Sequence, residues 1–201
     1  MLRQIKSSLF IFCFVAALQI SGFSQRKHSK IHNGWKDTTG TADLEQARKQ
    51  FWDSMPDPTG LTTDFENIFT TKEKNHLDSM ILNFEKRTSI EFCIVTLDTM
   101  KVNMERFGEL PAYIEKAWGI GKKETKNGIV ICLSVGYRAI RIGAGSGIAD
   151  YISDKETTAF ITKNFLPDFK KGKYYDGTLN GLTAIIGLLD NRLKGKTSAS
   201  R

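Results

Sequence analysis

The sequence predicts an α/β protein, a three-layer α/β/α sandwich around a mixed sheet of four to five strands. Two almost continuous apolar runs, 90–97 and 128–135, are typical of strands buried on both faces. After the second run, Gly136 and Tyr137 form a tight link to a strand at 138–142, as in a hairpin. Helical patterns stand before, between and after these strands, which favours at least one β-α-β crossover and helices on both faces.

Four segments with apolar residues at helical spacing predict the helices of the sandwich. The first helix begins at Thr70 or Thr71, and the second covers 105–118. The third covers 155–165, and the fourth begins at Gly177. Pro111 lies inside the second helix, where it either starts a new turn or kinks the helix, and Pro167 ends the third.

Composition divides the chain into four segments. Residues 1–24 are typical of a signal peptide, because Arg3 and Lys6 precede an apolar run of about ten residues and small residues precede a cleavage point after Ser24. The alternative is an uncleaved membrane anchor. Residues 25–60 are predicted to be a flexible tether with a short amphipathic helix at 42–55. Residues 61–191 form the folded domain, and residues 192–201 are predicted to be a disordered tail.

The overall composition limits the function classes. The 201 residues are 25% charged and 40% apolar, which excludes a chain that is disordered throughout. No apolar stretch after the N-terminal segment approaches the roughly 20 residues of a membrane span, so none is expected in the mature chain. Lys and Arg are interspersed with acids rather than with aromatic residues, which argues against nucleic acid as a partner. Cys93 and Cys132 either pair or stay free and buried within their strands.

Familiar catalytic motifs are incomplete. The run from Gly143 to Gly147 contains Ser146, but its spacing does not make a nucleophile elbow. Its glycines also fail the dinucleotide pattern, because Ile148 stands where a third glycine is needed. Acidic residues near loop ends are candidates either for capping or for ligating a divalent cation. These are Asp64, Asp150, Asp154 and Asp176.

Several short motifs occur in a characteristic order. They are Thr63-Asp64, Trp118-Gly119-Ile120-Gly121, Asn127-Gly128-Ile129-Val130-Ile131, Gly143-Ala144-Gly145-Ser146-Gly147-Ile148, Ser153-Asp154, Phe165-Leu166-Pro167-Asp168-Phe169-Lys170 and Lys173-Tyr174-Tyr175-Asp176-Gly177. Together they resemble the TPM domain, a family named after a thylakoid lumen protein, a photosystem II repair protein and a nicotinic receptor modulator. The resemblance covers about 61–191 and implies a compact α/β/α sandwich in an extracytoplasmic, periplasmic or secreted, protein.

The resemblance also implies a metal site. Some family members bind Ca²⁺ or Mg²⁺ through loop carboxylates, and a plant member is credited with acid phosphatase activity. Asp64 and Asp154 match acidic positions of the family, and Asp150 lies beside Ala149, where a glutamate is usual. Two other usual acidic positions hold Lys126 and the pair Gly136-Tyr137, and the lysine opposes cation binding by Coulomb repulsion.

Two functions follow as expectations. The first is an accessory or interaction module for envelope protein assembly or repair, with an envelope or membrane-complex protein as partner. The alternative is a weak acid phosphatase that depends on a divalent cation, with Asp64, Asp150 and Asp154 as ligands of Ca²⁺ or Mg²⁺. No nucleotide, haem or flavin is expected with either function.

Overall fold

The structure is a computed structural model that describes residues 39–199, and side chains from 40 to 195. The predicted signal peptide over 1–24 and the tether over 25–38 lie outside the described residues. The helices are α1 (Thr39–Asp53), α2 (Thr71–Thr88), α3 (Leu110–Trp118), α4 (Asp154–Phe160), α5 (Leu166–Phe169) and α6 (Tyr174–Ala199). The strands are β1 (Thr62–Asp64), β2 (Glu91–Thr96), β3 (Gly128–Ser134) and β4 (Ala139–Ala144).

The four strands form one mixed sheet in the order β1-β2-β3-β4. The first three strands run parallel, and β4 returns antiparallel to β3 through the predicted hairpin. In register, Asp64 stands beside Thr96, Thr96 beside Leu133, and Leu133 beside Ile140. The predicted mixed sheet is confirmed with four strands, and β1 and β4 are its edges.

Two apolar clusters pack on opposite faces of the sheet, because side chains alternate along each strand. One cluster lies under α2 and α6 and contains Leu77, Ile81, Phe84, Phe92, Ile94, Ile129, Ile131, Leu182, Ile185 and Leu189. The other lies under α1 and α3 and contains Phe51, Cys93, Val95, Leu110, Ile114, Val130 and Cys132. Every residue of β3 is buried, as its unbroken apolar run predicts. The three-layer sandwich is therefore confirmed.

Helix α1 packs against the domain. The sequence places this helix at 42–55, and the structure places it at 39–53. Phe51 is only 4% exposed, which contributes roughly 1.5–3 kcal/mol to stability. The Tyr113 hydroxyl donates to the Trp52 carbonyl at 2.6 Å, and Arg48 Nη2 donates to the Thr99 carbonyl at 2.8 Å. The short helix predicted ahead of the main domain therefore docks on the sandwich.

The predicted start of α2 at Thr70 or Thr71 agrees with the structure, whereas the second predicted helix, placed at 105–118, begins five residues later, at Leu110. Thr70 caps α2 with a capping box, in which its side chain accepts from the Glu73 amide and the Glu73 carboxylate accepts from the Thr70 amide. Pro111 lies in the first turn of α3, after a 3-10 turn at Phe107–Glu109. A proline in a first turn leaves no hydrogen bond unmade, so it starts the helix and does not kink it.

The third predicted helix has an irregular second half. Helix α4 passes into a π-helical turn over Ile161–Phe165, and α5 follows at once. The sequence predicts that Pro167 ends the helix, whereas the structure places Pro167 in the first turn of α5. The wider turn brings Phe165 against Gly181 of α6, where an added Cβ would lie 2.0 Å from the Phe165 ring.

Helix α6 is longer than the sequence predicts. It begins at Tyr174 rather than Gly177 and continues to Ala199, so the prediction of a disordered tail over 192–201 is wrong for residues 192–199. Two long-range ion pairs anchor the helix around residues 190–192. Asp190 pairs with Arg87 of α2, and the Arg192 guanidinium bonds both to Glu156 and to the Tyr151 carbonyl.

Cys93 and Cys132 are free, buried thiols on neighbouring strands. Burial raises the pKa of Cys93 to about 12 and raises the pKa of Cys132 well above its ordinary value. Both thiols therefore stay protonated at neutral pH and act as small apolar core residues.

The ion pair between Glu156 and Arg192 makes the anchoring of α6 pH-dependent. Hydrogen bonds from Arg192 and then from the Ser153 amide and hydroxyl lower the pKa of Glu156 from 4.5 to about 2. A depressed carboxylate pKa stabilises the fold above pH 4.5, and this stabilisation is lost as the pH falls towards 2.

We expect Glu156→Gln to lower the melting temperature at pH 7 and the difference from wild type to close between about pH 4.5 and pH 2. Thermal unfolding followed by circular dichroism measures this, with the exposed Glu105→Gln as control, and a difference that does not change with pH contradicts the assignment.

Candidate functional site

The carboxyl ends of β1, β2 and β3 meet at one edge of the sheet, where open α/β sheets bind ligands. Asp64 ends β1, Asp98 follows β2 by two residues, and the turn of residues 135–138 follows β3. We call this the carboxyl edge.

Asp64 joins β1 to β2 and to the loop that follows β1. The Thr96 hydroxyl donates to Asp64 Oδ1 at 2.5 Å, and the Phe69 amide donates to Oδ2 at 2.9 Å. Thr96 is completely buried, and its Oγ1 also accepts from the Glu66 amide at 3.0 Å. Both oxygens of Asp64 are therefore engaged as acceptors within the fold, one by a side-chain hydroxyl and one by a backbone amide.

Glu66 extends this network to β3. The Val135 amide donates to both carboxylate oxygens of Glu66 at 3.0 Å, and the Gly136 amide lies 3.5 Å from Oε1. Burial raises the pKa of Glu66 above its ordinary value, the two amides oppose that rise, and the charges of Asp98 and Asp64 add to it. Glu66 thus accepts hydrogen bonds from a turn 69 residues away in sequence.

Asp98 organises the loop after β2 in the same way. Its carboxylate accepts from the Met100 amide at 2.8 Å, the Lys101 amide at 3.0 Å and Lys101 Nζ at 2.8 Å. The acids of the carboxyl edge are therefore engaged within the fold, as hydrogen-bond acceptors for the loops that follow three neighbouring strands.

The structure does not bring Asp64, Asp150 and Asp154 together. Asp64 lies on one edge strand, three strands or roughly 14 Å from β4. Asp150 follows Gly147, whose amide donates to the Lys126 carbonyl before the start of β3, and Asp154 is the exposed first residue of α4. Within residues 39–199, no three His, Cys, Asp or Glu side chains form a group that could hold a metal ion. The Ca²⁺ or Mg²⁺ site stays a prediction.

The glycine-rich motifs lie at the opposite, amino edge of the sheet and pack backbone against backbone. An added Cβ would lie 2.4 Å from the Ile120 carbonyl at Gly128 and 1.8 Å from the Thr125 carbonyl at Gly147. This agrees with close chain crossing, one of the two readings of the run from Gly143 to Gly147.

A cavity of about 590 Å³ opens at the carboxyl edge beside β3 and β4. We call it the Arg138 cavity, and it is lined by Leu133, Ser134, Val135, Arg138, Ala139, Leu166, Phe169, Lys170, Gly172 and Tyr174. Its walls are mainly apolar, two of its lining residues are cations, and none is an acid. The cavity therefore suits a ligand that carries a negative charge on an apolar body.

A groove of about 480 Å³ runs beside β4 and adjoins the cavity. We call it the β4 groove, and it is lined by Met104, Arg138, Ala139, Ile140, Arg141, Ile142, Asp154, Thr157, Thr158, Ile161 and Leu166. Arg138 lines both spaces, so the cavity and the groove form one concave surface around this side chain.

Sequence reasoning did not single out Glu66 or Arg138, and it noted Lys170 only as part of a small basic cluster. Lys170 belongs to a basic cluster with Lys171 and Lys173, but those two lysines pair with Asp168 and Asp176. The only sequence signal for Arg138 is an arginine in a tight hairpin link where Gly or Asn is usual.

The family assignment rests on a sequence match. A family profile described as the TPM domain matches residues 62–188, which is more than half of the chain. The chain belongs to the TPM domain family. None of the curated proteins matches it.

Two solved structures share the fold of this TPM domain. The N-terminal domain of a P. gingivalis protein, solved by solution NMR, has 22% sequence identity and a TM-score of 0.62, and the match covers 72% of this chain and 90% of that one. The BA42 protein of the psychrophilic bacterium Bizionia argentinensis has 20% identity and a TM-score of 0.54, with 63% and 85% covered. In the part of the TPM protein that the structure describes, no helix combines the length and the apolar character needed to cross a bilayer.

Because Asp64 accepts two hydrogen bonds within the fold, its substitution should lower stability more than the substitution of an exposed carboxylate. Asp64→Asn replaces one accepting oxygen by a donor and leaves the Thr96 hydroxyl or the Phe69 amide without its acceptor. We expect a loss of about 1–3 kcal/mol in the free energy of unfolding, measured by urea denaturation. The matched Asp154→Asn, on an exposed helix start, is expected to lose under about 1 kcal/mol. Equal losses in the two variants contradict the role given to Asp64.

Proposed function

We propose that this TPM domain is an accessory binding module for protein assembly or repair in the cell envelope. The observation that carries the proposal is the concave surface around Arg138, which offers an apolar cavity with cationic side chains next to a free sheet edge. Such a surface suits the recognition of a polypeptide segment.

The engaged carboxylates support a binding role over the alternative. A metal-dependent phosphatase needs several oxygen ligands gathered around its ion. The acids of the carboxyl edge accept hydrogen bonds from their own loops, and Asp150 and Asp154 lie elsewhere. The phosphatase stays an alternative with its own test.

The proposed location rests on the signal-peptide pattern of residues 1–24 and on the membership of a family that is often extracytoplasmic. Helix α1 adds to the module, because it buries Phe51 in the second cluster and fixes the loop at Thr99 through Arg48. A chain exported in this form would present the carboxyl edge to other envelope proteins.

Site-specific photo-crosslinking in intact cells tests this function. Met104 is 45% exposed and lines the β4 groove, whereas Leu82 is 42% exposed on α2. A photoreactive amino acid in the full-length chain at Met104 is expected to give a discrete adduct with an envelope protein, confirmed by reciprocal capture. The same substitution at Leu82 is the matched control and is expected to give none.

Two results would count against the binding module. One is the absence of any adduct specific to Met104. The other is hydrolysis of an aryl phosphate by the purified protein that requires Ca²⁺ or Mg²⁺ and is lost in Asp64→Asn, which would favour the phosphatase.

A further inference from the structure

We propose that the Arg138 cavity binds the C-terminal carboxylate of a polypeptide whose last residues lie antiparallel to β4 in the β4 groove. This inference rests on the proposed binding function and names the chemistry of the partner. It combines three features of one surface: the cations, the apolar walls and the free edge of the sheet.

The cations of the cavity are not neutralised by the fold. Within residues 39–199, the side chains of Arg138 and Lys170 make no ion pair and no hydrogen bond, whereas neighbouring Lys171 pairs with Asp168. No acid lines the cavity. A guanidinium binds a carboxylate through two parallel hydrogen bonds, so a carboxylate is a fitting anion here.

The backbone holds Arg138 at this place in an unfavourable conformation. Arg138 has a φ of 50°, and its amide donates to the Val135 carbonyl at 3.0 Å to close the hairpin turn. Gly or Asn normally occupies such a position, because side chains disfavour positive φ. Strained backbone positions cluster at functional sites, and this one places an arginine side chain in the lining of a cavity.

The walls of the cavity favour an organic anion over inorganic phosphate. Leu133, Leu166 and Phe169 supply apolar surface around the two cations. A C-terminal residue has a carboxylate directly beside its own side chain, and an apolar side chain would cover these walls. Inorganic phosphate offers nothing to bury against them.

The free edge of β4 supplies the second part of the site. The Gly145 amide donates to the Gly128 carbonyl, and because antiparallel pairs alternate, Arg141 and Gly143 also face β3 with their backbone groups. The N–H and C=O groups of Ile140 and Ile142 therefore point into the groove. Arg141 Nη1 donates to the Ile140 carbonyl at 3.0 Å, so Ile142 is the position where both backbone groups are available for pairing.

The direction of the bound chain follows from the topology. Strand β4 begins at Ala139 beside the cavity and runs away from it to Ala144. A polypeptide that ends in the cavity must approach along β4 in the opposite direction and would add an antiparallel fifth strand. The groove has one acid in its lining, Asp154, and this residue does not line the cavity that would hold the carboxylate.

NMR titration of the ¹⁵N-labelled protein tests the carboxylate directly. The probes are acetylated valyl-leucine with a free C-terminus, the same dipeptide as its C-terminal amide, and an acetylated pentapeptide with the same two last residues. We expect the free carboxylate to shift the amides of Val135, Arg138 and Gly172, and the amide form to bind at least about tenfold more weakly. The pentapeptide is expected to bind more tightly than the dipeptide and to shift the Ile142 amide as well.

Charge variants provide the control. We expect Arg138→Gln with Lys170→Gln to weaken binding of the free carboxylate at least about tenfold. Lys122→Gln with Lys123→Gln, which removes the same charge from exposed residues near the amino edge, is expected to leave binding unchanged.

Four outcomes would overturn the inference. They are equal binding of the acid and amide probes, no shifts up to about 10 mM probe, tighter binding of inorganic phosphate than of the dipeptide acid, and a pentapeptide that binds no better than the dipeptide. None of these results depends on whether an envelope partner is found by crosslinking, so failure here and failure of the binding module are distinguishable.

Discussion

The carboxyl edge depends on two half-buried hydrogen-bond acceptors, the carboxylates of Asp64 and Glu66. Asp64 holds the Thr96 hydroxyl and the Phe69 amide, and Glu66 holds the Val135 amide. Together they connect β1, β2 and the turn after β3, three segments that are distant in sequence. Breaking one contact would leave a buried polar group without a partner, which costs more than the hydrogen bond itself contributes.

This network separates the charges of the edge into two groups. The acids accept hydrogen bonds from the loops of the fold, while Arg138 and Lys170 line the cavity. The turn that Glu66 binds through the Val135 amide is also the turn that carries Arg138. A carboxylate that is unfavourable to bury thereby positions a cation that is available to a ligand, and this coupling links the stability of the edge to the proposed binding function.

The sequence predicted the layers of the fold well, because those layers depend on apolar periodicity. The unbroken apolar runs of β2 and β3 indicated buried strands, and Thr70 indicated a helix start. Features that depend on tertiary contacts were missed. The π-helical turn forms where Phe165 packs on Gly181, and α6 is anchored through Arg192 to Glu156, a residue distant in sequence.

The site was predicted less well, since loop acids look alike in sequence whether they bind metals or amides. Asp64 was identified as important, but Glu66 was not, and only the structure shows that Arg138 lines a cavity.

Amide hydrogen exchange of the native protein tests the central claim most directly, namely that the two carboxylates hold the carboxyl edge together. The Phe69 and Val135 amides lie in loops, and their acceptors are the side chains of Asp64 and Glu66. The account predicts that both amides exchange at least about a hundredfold more slowly than the amide of exposed Lys123, through openings that approach global unfolding. Exchange of both amides at the rate of Lys123 would contradict it.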